Sequence, residues 1–170
     1  MAERFLLILR HAKSDWTPSD PNDHDRPLTK RGRHAAGELA AQILPEERPE
    51  LILCSSARRA LETLAGVSAL VGAGTTVSVE HSLYQMEEQG LLAHLRQLPA
   101  GTRSVMVIGH NPGLHDLAVR VTGQGDTAVV ERLAEGLVSG GLVTMTLGPG
   151  GWDALDTGTC RLVRYDLPSA

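Results

Sequence analysis

Three apolar runs in this sequence are each followed within a few residues by side chains that could bind or transfer an anionic group. They are Arg10 and His11 after residues 5–9, Arg58 and Arg59 after residues 51–54, and His110 after residues 105–108. Guanidinium groups hold phosphate or carboxylate oxygens in a planar fork. An imidazole inside such an anion site can act as a nucleophile. The two histidines and these arginines therefore predict phosphoryl-transfer chemistry if they converge.

The elements that must position these residues can be read from the hydrophobic pattern. The runs are continuously apolar over four or five residues, which is typical of strands buried on both faces. Helical spacing of apolar residues alternates with them over about residues 30–44, 57–70, 87–98 and 112–121. We therefore expect an α/β fold, a three-layer sandwich with a mostly parallel central sheet flanked by helices. Ligands of such sheets bind at the carboxyl ends of the strands.

The remaining segments complete this prediction. Asn111 suits the N-cap of the last helix, with Pro112 as its first residue. The other expectations are a loop at residues 16–27, a break at 123–126, a short strand at 77–79, and two late strands at 142–147 and 160–166 that would form an antiparallel edge.

Length and charge limit the possible functions. The 170 residues predict one domain spanning residues 1–170, and the net charge of −4 gives no electrostatic footprint for nucleic acid. An anionic substrate must then be attracted by local arginines. The apolar run at residues 5–9 is too short for a signal peptide or a membrane span, so we expect a cytoplasmic protein with no membrane partner. Cys54 and Cys160 are expected to be buried structural thiols.

Metal or cofactor chemistry is the main rival explanation for the histidines. The chain has no His-Glu-x-x-His or Cys-x-x-Cys motif, and its other histidines have no partners at ligand spacing. It also lacks a glycine-rich phosphate loop and a dinucleotide fingerprint. We therefore expect no metal and no cofactor.

Each candidate residue has a plain structural explanation when it is taken alone. Arg10 and His11 could be a solvated strand end, the pair Arg58–Arg59 could be an exposed helix face, and His110 could be a hydrogen-bonded core residue. Three such groups at three predicted strand ends are harder to explain in that way. Together they favour an active site.

The motifs around these residues resemble the histidine phosphatase superfamily, which includes the phosphoglycerate mutases. The family signature Arg-His-Gly stands here as Arg10-His11-Ala12, a form that resembles the SixA-like branch with its Arg-His-Ala-Lys-Ser sequence. Four further matches are Ser14 and Trp16, the segment Pro27-Leu28-Thr29-x-x-Gly32, the segment Ser56-x-x-Arg59-Ala60-x-x-Thr63, and Gly109-His110-Asn111-Pro112-Gly113. The matches cover about residues 4–121 in the family's order.

This resemblance implies a phosphoglycerate mutase-like fold and a role for each matched residue. His11 would be the nucleophile that becomes phosphohistidine, and Arg10, Arg59 and His110 would clamp the phosphate. The second ring nitrogen of His11 should then donate to a backbone carbonyl, which fixes the tautomer. Ser14, beside the nucleophile, is a further candidate for donating to the phosphate.

The general acid that many relatives carry has no clear counterpart in this sequence. Glu87 is the candidate, with Glu88 beside it, although both also suit the exposed first turn of a helix. A phosphoimidazole leaving group can be protonated near neutral pH, because free imidazole has a pKa of about 6.5, whereas an alkyl ester has no such help. A weak acid therefore fits a phosphohistidine substrate better than a sugar phosphate.

Three functions remain open at this stage. The first is a phosphatase for phosphohistidine on a protein. Mutase-type members of the family that this chain resembles carry an added helical segment over the site, whereas residues 70–103 here predict only one helix, so the resemblance implies an open site that could admit a phosphorylated side chain. The second is a phosphatase for a small phosphomonoester, and the third is a binding module for phosphoproteins that has lost catalysis. The expected partner is therefore a phosphorylated protein or a small phosphorylated molecule.

Overall fold

A computed structural model describes residues 2–16 and 22–169. In these residues a seven-stranded sheet has the order β3-β2-β4-β1-β6-β7-β5. The strands are β1 Phe5–Arg10, β2 Leu51–Ser55, β3 Thr76–Glu80, β4 Ser104–Gly109, β5 Thr122–Gly125, β6 Leu142–Leu147 and β7 Cys160–Asp166. The helices are α1 Lys30–Leu39, α2 Arg58–Gly66, α3 Glu88–Arg96, α4 Gly113–Val121 and α5 Thr127–Glu135.

The expected three-layer α/β sandwich is confirmed, because β1 is covered on both faces. On one face Leu7 and Leu9 pack in a cluster with residues of α1 and α2. On the other, Leu6 and Ile8 belong to a cluster that contains residues of α3, α4 and α5. A strand with helices on both faces must be apolar at every position, which is why the sequence of β1 shows no alternation.

The sheet is mostly parallel, with β6 as the strand that runs against its neighbours. β6 pairs antiparallel with β1 on one side and with β7 on the other. The two late strands therefore have the predicted bounds, but they do not form the edge. β5 pairs parallel with β7 and lies outside it.

The strand β5 occupies the segment that was expected to be a break. Its sequence is Thr122-Gly-Gln-Gly125, which has no apolar alternation, so only backbone pairing reveals it. A Cβ on Gly123 would lie 2.0 Å from the carbonyl oxygen of Gly158, which explains a glycine there. Residues 127–135, for which no element was predicted, form α5, and Asp126 caps this helix by accepting from the amides of Ala128 and Val129.

The predicted cap of α4 is wrong. The helix begins at Gly113, and the Asn111 side chain instead donates from Nδ2 to the carbonyl of Leu137 at 2.8 Å. The Asn111–Pro112 peptide bond is cis. Of the predicted loop at 16–27, residues 17–21 lie outside the described residues, and Asp23–Asp25 form a 3₁₀ turn.

Candidate active site

The register of the parallel strands brings the two candidate histidines together. Arg10, the last residue of β1, lies opposite Gly109, the last residue of β4. The next residue in each chain segment is a histidine, and the amide of His11 donates to the carbonyl of Gly109 at 3.0 Å. The imidazole centroids of His11 and His110 are therefore 5.2 Å apart. Residues separated by 99 positions in sequence meet at one end of the sheet.

His11 is held in a single orientation with one nitrogen free. Its side chain is buried, and Nδ1 lies 2.7 Å from the carbonyl oxygen of Ala12. A carbonyl can only accept, so Nδ1 carries the proton in the neutral ring and the lone pair lies on Nε2. Burial and the nearby charges of Arg59 and Arg10 lower the pKa of His11 to about 4. The ring is therefore neutral at pH 7, as the sequence-based mechanism requires.

His110 is oriented by a serine on the neighbouring strand. Its Nε2 lies 2.7 Å from Oγ of Ser55, which is fully buried at the end of β2. The Ser55 oxygen also accepts from the amide of Ala57 at 3.2 Å, and the described residues offer its buried hydroxyl hydrogen no acceptor other than Nε2 of His110, so we assign Ser55 as the donor to this nitrogen. The remaining proton of the ring then lies on Nδ1. Burial, His11 and Arg59 lower the pKa of His110 to about 3, so this ring is neutral as well.

Two arginines, Arg10 and Arg59, also line this cavity. Arg58 does not line it. Arg59 donates from one terminal nitrogen to the carbonyl of Asp23 at 2.7 Å and from the other to its carboxylate at 3.1 Å. Arg10 donates to the carbonyl of Leu137 at 3.0 Å. Arg58 instead pairs with Glu62 on the outer face of α2, with over half of its side chain exposed.

Three buried nitrogen donors in this cavity have no partner. They are Nε of Arg10, Nε of Arg59 and Nδ1 of His110, and all three side chains line the cavity of about 620 Å³ that also contains His11. A buried donor without an acceptor costs roughly 1–3 kcal/mol, so such groups are rare unless a ligand satisfies them. The arrangement therefore fits an anion with several acceptor oxygens placed against Nε2 of His11.

Comparison with known proteins identifies the family of this chain. A family model described as histidine phosphatase superfamily (branch 1) matches residues 6–88. An uncharacterized protein of Mycobacterium tuberculosis is 32% identical over 165 residues, which cover 94% of this chain and 99% of that protein. The chain belongs to the histidine phosphatase superfamily. This membership supports a phosphatase enzyme.

Two solved structures place this histidine phosphatase in the SixA-like branch. A protein of Nakamurella multipartitia that carries the name phosphohistidine phosphatase SixA has a TM-score of 0.84 and 25% identity, with 100% of this chain and 99% of that chain covered. A protein of the same name from Agrobacterium tumefaciens has a TM-score of 0.77 and 25% identity, with 99% and 100% covered. The phosphoglycerate mutase-like fold expected from the sequence is thereby confirmed.

Asp23 is a site residue of this histidine phosphatase that the sequence did not reveal. Its carboxylate accepts from Tyr84, from Nε of Arg26 at 2.9 Å and from Arg59 at 3.1 Å. The bond from Tyr84 and the two guanidinium groups hold the pKa of Asp23 far below its usual range. The spacing Asp-x-x-Arg just before the Pro27-Leu28-Thr29 segment was the available signal, but it lay in a stretch predicted as loop.

Arg26 lies in the stretch that the sequence predicted as a loop, but it is not a solvated residue. The side chain is buried and donates to Oγ of Ser14 at 2.9 Å and to the carbonyl of Asp15 at 3.0 Å. Its guanidinium carbon also lies 3.6 Å from the ring centroid of Trp16. Ser14 lines the cavity and accepts from Arg26, which leaves its own hydroxyl hydrogen for another acceptor.

Glu87, the candidate general acid, lines a neighbouring cavity of about 290 Å³ that shares Asp23, Arg59 and His110 with the first. It is exposed and is not among the residues around His11. Glu88 pairs with Arg120 at 3.5 Å on α4. Among the described residues that line the His11 cavity, Asp23 is the only carboxylate.

A loop of the C-terminal third closes one side of the site, and sequence reasoning missed it. The carbonyl of Leu137 accepts from both Arg10 and Asn111, and the amide of Gly140 donates to the carbonyls of Arg10 and His11. Gly140 has a φ of +75°, which favours glycine at this turn. The Gly140-Gly141 pair was the signal in the sequence.

Three further observations concern the described residues as a whole. No helix in them is long and apolar enough to cross a membrane. No group of three or more His, Cys, Asp or Glu side chains in the described ranges is arranged to hold a metal ion. Cys54 and Cys160 are both buried and free, and burial raises their thiol pKa values to about 12 and about 11, so both stay protonated at neutral pH.

Proposed function

We propose that this protein, one domain over residues 1–170, is a phosphohistidine phosphatase that works through a phosphorylated His11. The observation that carries the proposal is the set of three unpartnered buried donors around the free Nε2 of His11. A phosphoryl group bound there would satisfy Arg10, Arg59 and His110, and its phosphorus would face the nucleophile. The names of the two similar SixA structures point to the same substrate class.

The first step transfers the phosphoryl group to the enzyme. The Nε2 lone pair of His11 forms a bond to phosphorus while the P–N bond of the substrate breaks, and the released imidazole keeps the bonding pair. The guanidinium groups of Arg10 and Arg59 and the Nδ1–H of His110 stabilise the charge that develops on the phosphoryl oxygens. Removing one such donor typically costs about 3–4 kcal/mol of barrier.

The second step restores the free enzyme. Water attacks the phosphorus, the bond to Nε2 breaks, and inorganic phosphate leaves with the oxygen of that water. Ser14 could donate its hydroxyl hydrogen to a phosphoryl oxygen in both steps, since its oxygen is already held by Arg26. Neither step uses a metal or a cofactor.

The lack of an evident acid in the cavity supports a phosphohistidine substrate. Asp23 is the only carboxylate lining it among the described residues, and its lowered pKa keeps it ionised at neutral pH. An alkoxide leaving group needs a proton from such a residue, whereas a phosphoimidazole can be protonated before transfer, given the pKa of about 6.5 of free imidazole. Glu87, in the adjoining cavity, is the candidate acid if phosphomonoesters are also hydrolysed.

The test is a search for the phosphoenzyme by intact-protein mass under mildly alkaline conditions. The protein is mixed briefly with a phosphohistidine peptide, with phosphoramidate, or with p-nitrophenyl phosphate, and release of phosphate is followed in parallel. We expect a transient gain of one phosphoryl group with the first two donors and none in His11→Ala. His34→Ala is the matched control, because this exposed histidine of α1 lies outside the cavity.

Other outcomes would change the assignment. Turnover of p-nitrophenyl phosphate without turnover of the phosphohistidine peptide would favour the small-phosphomonoester phosphatase. Phosphate binding with no turnover of any of the three donors would favour a binding module that has lost catalysis. His11→Ala that turns over the peptide as fast as the wild type would overturn the role of His11.

A further inference from the structure

The cavity around His11 contains two exposed cations that the proposed phosphoryl clamp does not use. Lys13 and Arg31 both line it, and both are exposed. The ion pairs found among the described residues include neither Lys13 nor Arg31. Exposed cations on most protein surfaces are solvated or loosely paired, so exposure alone says little. Their position at the mouth of an anion site is what calls for an explanation.

Backbone packing fixes these two residues beside one another. The amide of Thr29 donates to the carbonyl of Lys13 at 2.9 Å, and Thr29 is the N-cap of α1. A Cβ on Gly32 would lie 2.2 Å from that same carbonyl oxygen. The Lys13 backbone therefore lies directly against the first turn of α1, the turn that carries Arg31.

The charges in this first turn oppose the local preference of a helix. The N-terminus of a helix has a partial positive charge and is stabilised by acidic residues. The first turn of α1 has no acid and begins instead with Lys30 and Arg31. Residues that weaken their own element are expected where function requires them.

The balance of charge in the cavity also differs from that of the whole chain. The described residues that line it include five cations and one carboxylate: Arg10, Lys13, Arg26, Arg31, Arg59 and Asp23. The chain as a whole has a net charge of −4. Positive charge therefore outweighs negative charge at this opening, and it extends beyond the arginines that would hold a single phosphoryl group.

We propose that Lys13 and Arg31 bind an acidic protein segment that flanks the phosphorylated residue of the substrate. This inference rests on the proposed function and adds the kind of sequence that the site selects. Complementary charge across an interface selects partners and steers their approach, and two exposed cations at the mouth of the site can act in this way on an acidic segment. Trp16 adds an apolar surface to the same opening, since 76% of this residue is exposed and tryptophan is enriched in protein interfaces.

The experiment compares two peptides that differ only in their flanks. Both carry one phosphohistidine, one with Asp and Glu on either side and one with Ser and Asn. We expect the wild-type protein to prefer the acidic peptide about tenfold in kcat/KM, the size expected of two partly exposed ion pairs. The preference should shrink as ionic strength rises, because exposed charges are screened.

Variants assign the preference to the two residues. In Lys13→Ala/Arg31→Ala the ratio of kcat/KM for the two peptides should fall to near one, and in Lys13→Glu/Arg31→Glu it should invert. Arg132→Ala/Arg161→Ala is the matched control, since both arginines are exposed and lie outside the cavity, and its ratio should stay at the wild-type value.

The outcomes separate this inference from the proposed function. Equal turnover of both peptides by the wild-type protein overturns the acidic-segment proposal and leaves the phosphohistidine phosphatase intact. No turnover of either peptide by protein that hydrolyses p-nitrophenyl phosphate overturns the proposed function first. A preference that survives in Lys13→Ala/Arg31→Ala overturns the assignment to these residues. Inhibition by inositol hexakisphosphate that depends on the two cations, with no peptide preference, would identify a small polyanion instead.

Discussion

The hydroxyl of Ser55 lies 2.7 Å from Nε2 of His110, so a residue of β2 sets the protonated nitrogen of a ring carried by the segment after β4. The same oxygen accepts from the amide of Ala57, and Nε2 of His110 is the one acceptor found for the Ser55 hydroxyl hydrogen among the described residues, so Ser55 is assigned as the donor to the ring. His110 therefore presents Nδ1–H to the cavity as a donor. Ser55 thus orients His110 without contacting the substrate itself, whereas His110 would contact it.

Replacing Ser55 by Ala should remove the hydrogen bond that orients the His110 ring. We expect kcat to fall about 10- to 100-fold with a smaller change in KM, because a misdirected donor stabilises the transition state poorly. The ¹⁵N chemical shifts of His110 should change from those of the Nδ1–H tautomer to those of a mixture. Ser56→Ala is the control, since the Ser56 hydroxyl bonds to His24 and His81 instead. An unchanged tautomer in Ser55→Ala would contradict this prediction.

The carboxylate of Asp23 is expected to position Arg59 for catalysis. Asp23→Ala removes the acceptor of one guanidinium nitrogen, and we expect kcat/KM to fall about 100-fold, the usual effect of a small misplacement in an active site. Asp25→Ala, two residues away and exposed, should stay within about twofold, since substitutions at exposed sites usually have small effects. A gain of activity in Asp23→Ala would mean that the carboxylate competes with phosphate for Arg59.

The lowered pKa of His11 makes the protein less stable in weak acid. The unfolded chain binds a proton at this ring below a pH of about 6.5, whereas the folded protein binds it only near pH 4. The free energy of unfolding should therefore fall between these values as the pH is lowered, by up to about 3 kcal/mol from this ring. In His11→Gln, the free energy of unfolding measured with urea should depend less steeply on pH over this range. The difference in slope should correspond to about one bound proton. Equal slopes would contradict the assigned pKa.

Glu47, which is buried, and Arg164, which is partly exposed, form an ion pair that joins the Pro45–Glu47 turn to β7. Both carboxylate oxygens accept from Arg164, at 2.6 and 2.7 Å, and one also accepts from the amide of Leu44 at 3.0 Å. Burial by itself would raise the pKa of Glu47, but these bonds outweigh it and lower the pKa. We expect Glu47→Ala to lower the free energy of unfolding by about 2–3 kcal/mol, since it removes charged hydrogen bonds to Arg164, which keeps Asp166 as a partner at 3.4 Å. Thermal unfolding of Glu46→Ala, its exposed neighbour, serves as the comparison.

Alanine substitution at two glycines of α1 should change the stability of the protein in opposite directions. At Gly32 a Cβ would lie 2.2 Å from the backbone carbonyl of Lys13, so Gly32→Ala must displace the loop that carries the nucleophile and should lower both stability and activity. At Gly37 nothing lies within 4 Å, and Gly37→Ala should stabilise the protein by about 0.5–1 kcal/mol through helix propensity. Denaturation midpoints and kcat for the two variants check both signs. A stabilised Gly32→Ala would show that the loop is free to move.

The local sequence was enough to predict most of the fold and the reactive residues of the candidate active site. A central strand buried on both faces must be continuously apolar, so β1, β2 and β4 were visible without any structure, and so was the reactive residue at the end of two of them. In contrast, β5 has no side-chain pattern and exists only through its pairing with β7. The helix α5 was missed, although Asp126 at its start is an ordinary capping residue.

What only the tertiary structure decided is how the groups around His11 are held. The sequence determined that an arginine and a histidine follow a buried strand, because hydrophobic burial dictates the residue types of that strand. It could not determine that Ser55 sets the tautomer of His110, that Asp23 holds Arg59, or that Leu137 accepts from Arg10. These depend on hydrogen bonds between segments that are tens of residues apart, and such bonds are satisfied only once strand register and loop paths are fixed.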